Sequence, residues 1–238
     1  MLTNNANLLF VINEILNDPT HKEEWLLQKK KLEIEAKNIK EIEIILPEAW
    51  VPLRLACSVL LTQRTNLRYV NFPETIEDWK TIWMEIQPNE NNKSYYHQHF
   101  SDWLKSRGNH RFAEKFGSYF EDYWISRKWD LSLTKDDLNI LRSLKTTDDV
   151  KKWWMQFKGV GTQYAKNLPM DEKDDRFLNY IKIDHRLSTI ANQFGCSDLP
   201  LSEKQVFFLD IAASLNMTGW EIDRFCFFFY RTILNFKK

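Results

Sequence analysis

A glycine turn between two helical segments constrains this chain more than any other stretch of its sequence. The turn is Phe157-Lys158-Gly159-Val160-Gly161, with a glycine on each side of one valine. Four apolar residues recur at the spacing of a helix face before and at the turn: Val150, Trp153, Trp154 and Phe157. The stretch from Thr146 to Asp149 offers a hydroxyl cap for this first helix. Thr162 can cap a second helix, which must end near Pro169. The pattern predicts two short helices joined by a tight turn, whose N–H groups at the start of the second helix can seat a phosphate.

A carboxylate follows the second helix, at the end of Ile181-Lys182-Ile183-Asp184. The isoleucines indicate a buried segment that would wall Asp184 from bulk water, where electrostatic interactions are stronger. An aspartate at this place can simply cap the helix that begins with His185. It can also stabilise positive charge that develops on a bound substrate. The residues alone leave both roles open.

The hairpin, Ala165 in register after it, and Asp184 together resemble the helix-hairpin-helix DNA glycosylases. That superfamily (HhH-GPD) includes endonuclease III and the adenine-mismatch and alkylbase glycosylases, and its signature is a Leu-Pro-Gly-Val-Gly hairpin followed by an apolar-flanked aspartate. The resemblance implies a base-excision-repair enzyme that hydrolyses the N-glycosidic bond of a flipped damaged or mismatched base. Asp184 would then stabilise the oxocarbenium-like transition state.

The resemblance also implies which other residues form the site. The hairpin residues Lys158, Gly159, Val160 and Gly161 would hold a DNA phosphate. Gln63 and Arg64 would contact DNA at the end of a buried helix, with Gln63 filling the space that the extruded base leaves. The expected pocket residues are Gln163, Tyr164, Trp153 and Trp50. No metal is expected, and a monovalent cation at the hairpin is the one cofactor that the resemblance allows.

The chain departs from the bifunctional members of the superfamily at one position. Those enzymes carry a nucleophilic lysine two residues after the second glycine of the hairpin, where this chain has Gln163. Lys166 lies on the same predicted helix about one turn further on. We therefore expect a monofunctional glycosylase without lyase activity. The residues after Asp184, His185-Arg186-Leu187, also differ from the common pattern, so the lesion stays unassigned.

Composition restricts the class of protein further. The chain has 238 residues, 43% of them hydrophobic and 14% aromatic, which is typical of a well-packed globular protein. The formal net charge is zero, which argues against a protein held to DNA by charge alone. The three cysteines are far apart, which indicates buried or free thiols in a reducing compartment, and the four clustered cysteines of the iron–sulfur glycosylases are missing. No secretory signal or membrane-spanning stretch is visible. We expect a monomer that acts on double-stranded DNA in the cytoplasm, associated with the nucleoid, or in the nucleus.

The expected fold class is all-α, because helical spacing recurs nearly throughout and no convincing strand occurs. By analogy with the superfamily, residues 52–178 form a six-helix domain that ends in the helix-hairpin-helix (147–168). Residues 1–51 and 179–238 form a second helical domain, and the active site lies in the cleft between the two. Capping boxes are predicted at Ser202 and Thr218, and Trp220-Glu221-Ile222-Asp223 is interpreted as structural. Two other classes stay open: a non-catalytic helix-hairpin-helix DNA-binding protein, and an all-helical interaction protein that binds no nucleic acid.

Overall fold

The computed structural model describes residues 2–60 and 73–236, with side chains described for residues 5–57 and 73–236. Thirteen α-helices and no strand occur in these residues, so the predicted all-α fold class is confirmed. The helices are α1 (Leu2–Asn17), α2 (Pro19–Ile45), α3 (Pro47–Leu60), α4 (Ile76–Ile86), α5 (Tyr96–Ser106), α6 (Ala113–Ser126), α7 (Leu131–Ser143), α8 (Thr147–Met155), α9 (Thr162–Asp171), α10 (His185–Ala191), α11 (Leu201–Ser214), α12 (Gly219–Phe228) and α13 (Tyr230–Asn235). None of the helices in the described ranges is long and apolar enough to cross a membrane.

The chain forms two compact units, each described here by itself. The central unit is Glu35–Leu168, and the terminal unit combines Met1–Ile34 with Pro169–Lys238. These limits lie earlier in the chain than the domain limits expected at residues 52 and 178. The first limit falls inside α2, a helix of 27 residues that has no glycine or proline after its first position to interrupt it.

Aromatic side chains form most of the core of the central unit. Phe100 of α5 and Phe120 of α6 stack with ring centroids 3.9 Å apart. The largest fully buried side chains of this unit include Trp50, Trp79, Trp124, Trp154, Arg54 and Tyr96. Large rings bury much apolar surface per residue, which explains how a chain with so many tryptophans forms a stable helical domain.

A proline, Pro52, lies inside α3, which begins at Pro47. Pro52 has no N–H, so the carbonyl of Glu48 receives no hydrogen bond from it. The hydroxyl of Thr134 on α7 lies 2.5 Å from that carbonyl oxygen and 2.7 Å from the carbonyl of Leu131. The hydroxyl has one proton, and Glu48 is the acceptor that lacks its helical donor, so donation to Glu48 replaces the hydrogen bond that Pro52 cannot make.

The core of the terminal unit joins α1 to the helices after residue 180. Its buried members include Leu8, Ile12, Ile181, Leu187, Phe208 and Phe225. The capping box at Thr218 is confirmed, since its side chain accepts from the Glu221 amide and Glu221 reaches back to the Thr218 N–H. The box at Ser202 is wrong, because α11 already begins at Leu201 and Pro200 occupies its cap position without a side-chain bond.

Candidate functional site

The predicted hairpin joins α8 to α9 in the central unit. Thr146 caps α8 by accepting from the Asp149 amide at 3.1 Å, as expected. The four apolar residues of the predicted helix face are all buried: Val150, Trp153, Trp154 and Phe157. Two details differ from the sequence prediction. Thr162 is the first residue of α9, so Gly161 precedes the helix in the cap position, and α9 continues two residues beyond Pro169, to Asp171.

The two hairpin glycines have different surroundings. Gly159 has φ +86°, and a Cβ built on it would lie 2.7 Å from Phe116 Cε1 and 2.9 Å from Tyr119 Cδ2. It serves the turn and lets the hairpin lie directly against the rings of α6. A Cβ built on Gly161 meets no heavy atom of the described residues within 4 Å. Those residues therefore leave space at Gly161, directly before the first turn of α9.

The start of α9 presents backbone donors beside that space. The first intrahelical hydrogen bond runs from the Ala165 amide to the Gly161 carbonyl, at 3.1 Å. The amides of Gly161, Thr162 and Gln163 precede it and have no carbonyl four residues back within the helix. Such amides, together with the helix dipole, attract an anion. The geometry fits a phosphate seat at the hairpin.

Lys158 on the hairpin is already paired. Its ammonium group lies 2.6 Å from the carboxylate of Asp122 on α6, and both side chains are exposed. The hydrogen bond to Asp122, and then the charge of that carboxylate, raise the pKa of Lys158 above its usual range. A DNA phosphate that approaches Lys158 would have to compete with Asp122.

A cavity of about 380 Å³ lies beside the hairpin within the central unit. Aromatic rings form much of its wall: Phe116, Tyr119, Phe120, Tyr123 and Phe157. The Arg127 guanidinium lies over the rings of Tyr123 and Phe157, at 4.1 and 5.4 Å from their centroids. None of the four expected pocket residues lines this cavity.

The expected pocket residues have separate places in the central unit. Trp50 is fully buried and donates from Nε1 to the Ile39 carbonyl at 3.3 Å, so its indole is a core group in this structure. Trp153 is 8% exposed and packs edge-on against Trp154 and Phe157. Gln163 is exposed and Tyr164 half-buried, both on the first turn of α9. Gln63 and Arg64 lie outside the described residues.

Asp184 stands in the terminal unit at the start of α10. Its Oδ1 accepts hydrogen bonds from the Arg186 and Leu187 amides at 2.9 and 3.1 Å, so the capping role is confirmed. The side chain is half-buried, between Ile183 and the buried Leu187. No residue in the described part of the chain donates to Oδ2. The backbone therefore fixes one of the two carboxylate oxygens.

Sequence reasoning missed a second carboxylate behind Asp184. Asp223 of α12 is 4% exposed, and its Oδ1 accepts a hydrogen bond from the Lys182 amide at 3.0 Å. Burial raises the pKa of Asp223 to about 6, against the opposing charges of Arg224 and Lys182. Burial also lowers the pKa of Lys182, against the charges of Asp223 and Asp184. The sequence signal for this contact was that Asp223 lies among the apolar residues Ile222, Phe225 and Cys226, which form the buried face of the final helix.

Two more residues of α12, Trp220 and Arg224, contact the chain before Asp184 through hydrogen bonds and an ion pair. The Trp220 amide donates to the Leu178 carbonyl at 2.8 Å, and its indole Nε1 donates to the Met170 carbonyl at 2.7 Å. Arg224 pairs with Asp171 at 2.8 Å. In the described residues, no group of three or more His, Cys, Asp or Glu side chains is placed to hold a metal ion.

These features define a class: an all-α chain with a helix-hairpin-helix turn and an apolar-flanked aspartate at a helix start. Two solved structures share the fold. A crystal structure of the Methanocaldococcus jannaschii 8-oxoguanine DNA glycosylase matches with a TM-score of 0.56 and 18% identity, over 94% of each chain. The glycosylase/lyase of the same organism, in complex with a 15mer DNA containing 8-oxoguanine, matches with a TM-score of 0.55 and 19% identity, over 94% of this chain and 97% of that one.

The chain therefore shares its fold with these 8-oxoguanine DNA glycosylases. In sequence, no protein-family profile and no curated protein matches it.

Proposed function

We propose that this protein is a base-excision-repair DNA glycosylase that removes an oxidised purine from double-stranded DNA. Its fold is shared along nearly the whole chain with a glycosylase solved on DNA containing 8-oxoguanine, which makes that base the first substrate to test. The observation that carries the proposal is the geometry of Asp184, with Oδ1 held by two amides and Oδ2 free of donors from the described residues.

The reaction needs a carboxylate of this kind. Breaking the bond between base and deoxyribose builds positive charge on the sugar, and a fixed anion beneath it lowers the barrier. The electron pair of that bond leaves with the base, the oxygen of a water bonds to the sugar carbon, and the released proton goes to Asp184. The two backbone hydrogen bonds to Oδ1 orient the carboxylate before the substrate arrives.

The hairpin would hold the DNA. The amides of Gly161, Thr162 and Gln163 precede the first intrahelical hydrogen bond of α9, and one phosphate there would be bound by backbone donors and the dipole of α9. Backbone contacts of this kind do not require a strongly basic chain, which is consistent with the zero net charge. The base to be removed must leave the stack, at a cost of a few kcal/mol.

We propose the hydrolytic, monofunctional route, without a metal or other cofactor. An imine-forming enzyme needs an amine within reach of the sugar carbon. Gln163 occupies the first turn of α9, and an amide nitrogen is a poor nucleophile because its lone pair is delocalised. In this respect the chain would differ from the structural neighbour described as a glycosylase/lyase.

Excision assays with paired variants test the carboxylate. We expect wild-type protein to form abasic sites in duplexes with 8-oxoguanine, and Asp184→Asn to lower the single-turnover rate by about 100-fold or more. Asparagine keeps an oxygen for the Arg186 and Leu187 amides, so α10 stays capped and duplex binding is retained. Asp184→Ala also removes the cap and should lose about 1 kcal/mol of stability.

The possible outcomes separate the three classes of function. Excision at the wild-type rate by Asp184→Asn would remove Asp184 from the mechanism. Salt-dependent duplex binding without excision on any modified base would favour the non-catalytic DNA-binding protein. No duplex affinity at low salt would favour the interaction protein.

Borohydride trapping tests the route. We expect no covalent adduct, and product strands that break only after hot alkali, because no amine attacks the sugar. An adduct that forms efficiently with the wild-type protein and disappears in Lys166→Ala would instead make Lys166 a nucleophile.

A further inference from the structure

Lys158 and Asp122 form an ion pair at the hairpin that the proposed mechanism does not use. The Lys158 ammonium lies 2.6 Å from Asp122 Oδ2, and both residues line the cavity beside the hairpin. Lys158 directly precedes Gly159 and stands three residues before Gly161, whose amide is the first of those proposed to hold a phosphate. The pair therefore lies next to the place where the DNA backbone would approach.

The packing of α6 against the hairpin fixes the position of Asp122. A Cβ built on Gly159 would lie 2.7 Å from Phe116 and 2.9 Å from Tyr119, so both rings of α6 touch the turn. Asp122 follows Tyr119 by three residues, which makes the two side chains neighbours on the surface of α6. The short side chain of Asp122 keeps its carboxylate at this place. The long, flexible stem of Lys158 instead lets its ammonium move from Asp122 to a phosphate.

The ion pair contributes little to the stability of the fold, because 62% of the Lys158 side chain and 44% of the Asp122 side chain are exposed. Exposed pairs of this kind are weak. The pair has a direct effect on an anion that approaches the hairpin. A phosphate can bind the Lys158 ammonium only in exchange for Asp122, so part of the attraction to the new partner is offset by the loss of the old one.

We propose that Asp122 lowers the affinity of the hairpin for the DNA backbone by holding the Lys158 ammonium, so that the protein releases duplexes that carry no lesion. A phosphate contact carries no information about the bases. The hairpin would therefore hold undamaged DNA and the abasic product as firmly as the substrate, and a weaker contact shortens the time spent on both. This inference rests on the proposed glycosylase function and concerns how fast its product leaves.

Duplex affinities of matched variants test the proposal. Asp122→Asn keeps the shape of the side chain and removes its charge, so we expect about fivefold tighter binding of undamaged and 8-oxoguanine duplexes at low salt, measured by fluorescence anisotropy. Glu90→Gln is the control for net charge. Glu90 pairs with Lys93 at 2.6 Å in the same unit, and neither residue lines the cavity. We expect this control to change the affinity by less than about twofold. Equal tightening by both variants would overturn the proposal, because net charge alone would then explain it.

A double-variant cycle shows whether Asp122 acts through Lys158. In protein that carries Lys158→Gln, the further change Asp122→Asn should alter the duplex affinity by less than about twofold, since no ammonium remains to be released. The tightening in the single variant Asp122→Asn should also shrink as salt rises, because a phosphate contact releases counterions. A merely structural role would not have this salt dependence. A full fivefold effect in the Lys158→Gln protein would mean that Asp122 repels DNA directly, and would overturn the proposal.

Excision rates test the consequence for product release. If release from the abasic duplex limits turnover, Asp122→Asn should lower the ratio of the multiple-turnover rate to the single-turnover rate by about fivefold. An unchanged ratio would contradict the proposed effect on release. If the wild-type protein binds duplexes but excises no base, the proposed function fails, and the duplex affinities still decide the role of Asp122. Wild-type affinity in folded Asp122→Asn would overturn this inference while leaving the proposed function intact.

Discussion

Gly159 and Gly161 flank a single valine, but the two glycines have different roles. The sequence pattern assigned both to phosphate approach. In the structure, Gly159 has positive φ and lies against Phe116 and Tyr119, whereas Gly161 faces open space. Of the two glycines, only Gly161 is a place where an added Cβ meets no heavy atom of the described residues.

Substitution at the two glycines should affect different properties. We expect Gly161→Leu to keep the free energy of unfolding within about 0.5 kcal/mol of wild type and to weaken duplex binding by about tenfold, because its side chain occupies the phosphate's approach. Gly159→Ala should lower stability by about 1–3 kcal/mol through the positive φ and the contact with Phe116. Denaturant unfolding and fluorescence anisotropy measure the two effects. Wild-type affinity in folded Gly161→Leu would exclude the phosphate seat.

Side chains from distant helices donate hydrogen bonds to carbonyls at helix ends and helix interruptions. Pro52 leaves the Glu48 carbonyl without its helical donor, and Thr134 of α7 lies 2.5 Å from it. At the end of α9, the buried Arg54 of α3 donates from Nη2 to the Leu168 carbonyl at 2.6 Å. Buried carbonyls need such partners, since leaving one unpaired costs about 1–3 kcal/mol.

The Thr134 contact can be tested with a matched pair of variants. Thr134→Val keeps the shape but leaves the Glu48 carbonyl without this donor, so we expect a loss of about 1–2 kcal/mol. Thr81→Val removes a similar hydroxyl contact, to the Glu77 carbonyl, from an exposed position on α4. That control should change stability by less than about 0.5 kcal/mol. Equal losses in urea unfolding would mean that the Thr134 hydroxyl has no special role.

Both units of the chain bury their cysteines. Cys57 is buried in the central unit, and Cys196 and Cys226 are buried in the terminal unit. Burial raises the pKa of the Cys57 thiol to about 12, and it raises the pKa of the Cys196 and Cys226 thiols as well. Because the thiolate is the reactive form, all three thiols should be inert while the units stay folded.

Thiol titration tests whether the three cysteines stay buried in the folded protein. We expect no reaction with a disulfide reagent such as Ellman's reagent in native buffer at pH 8, and three equivalents after unfolding in guanidinium chloride. The denatured sample is the control for total thiol. Fast labelling of one cysteine in native buffer would show that its unit opens readily, and the labelled residue would identify which unit.

Much of the local structure could be predicted because it depends on neighbours in sequence. The cap at Thr146, the buried face of α8, the box at Thr218 and the cap at Asp184 each involve residues no more than a few positions apart. The box at Ser202 failed because the cap pattern also fits a helix that has begun one residue earlier. Trp50 was expected in a pocket and lies in the core, because the burial of a side chain depends on how helices pack.

Spacing and capping act over one or two helical turns, so the residue pattern predicts the all-α class, the hairpin, and the aspartate that begins a helix after a buried segment. The partners of those residues depend on tertiary contacts. Asp223 reaches Lys182 across 41 positions, Asp122 pairs with Lys158 across 36, and Arg54 caps Leu168 across 114. Contacts between residues so far apart depend on how helices pack, and no short pattern of residues specifies that packing.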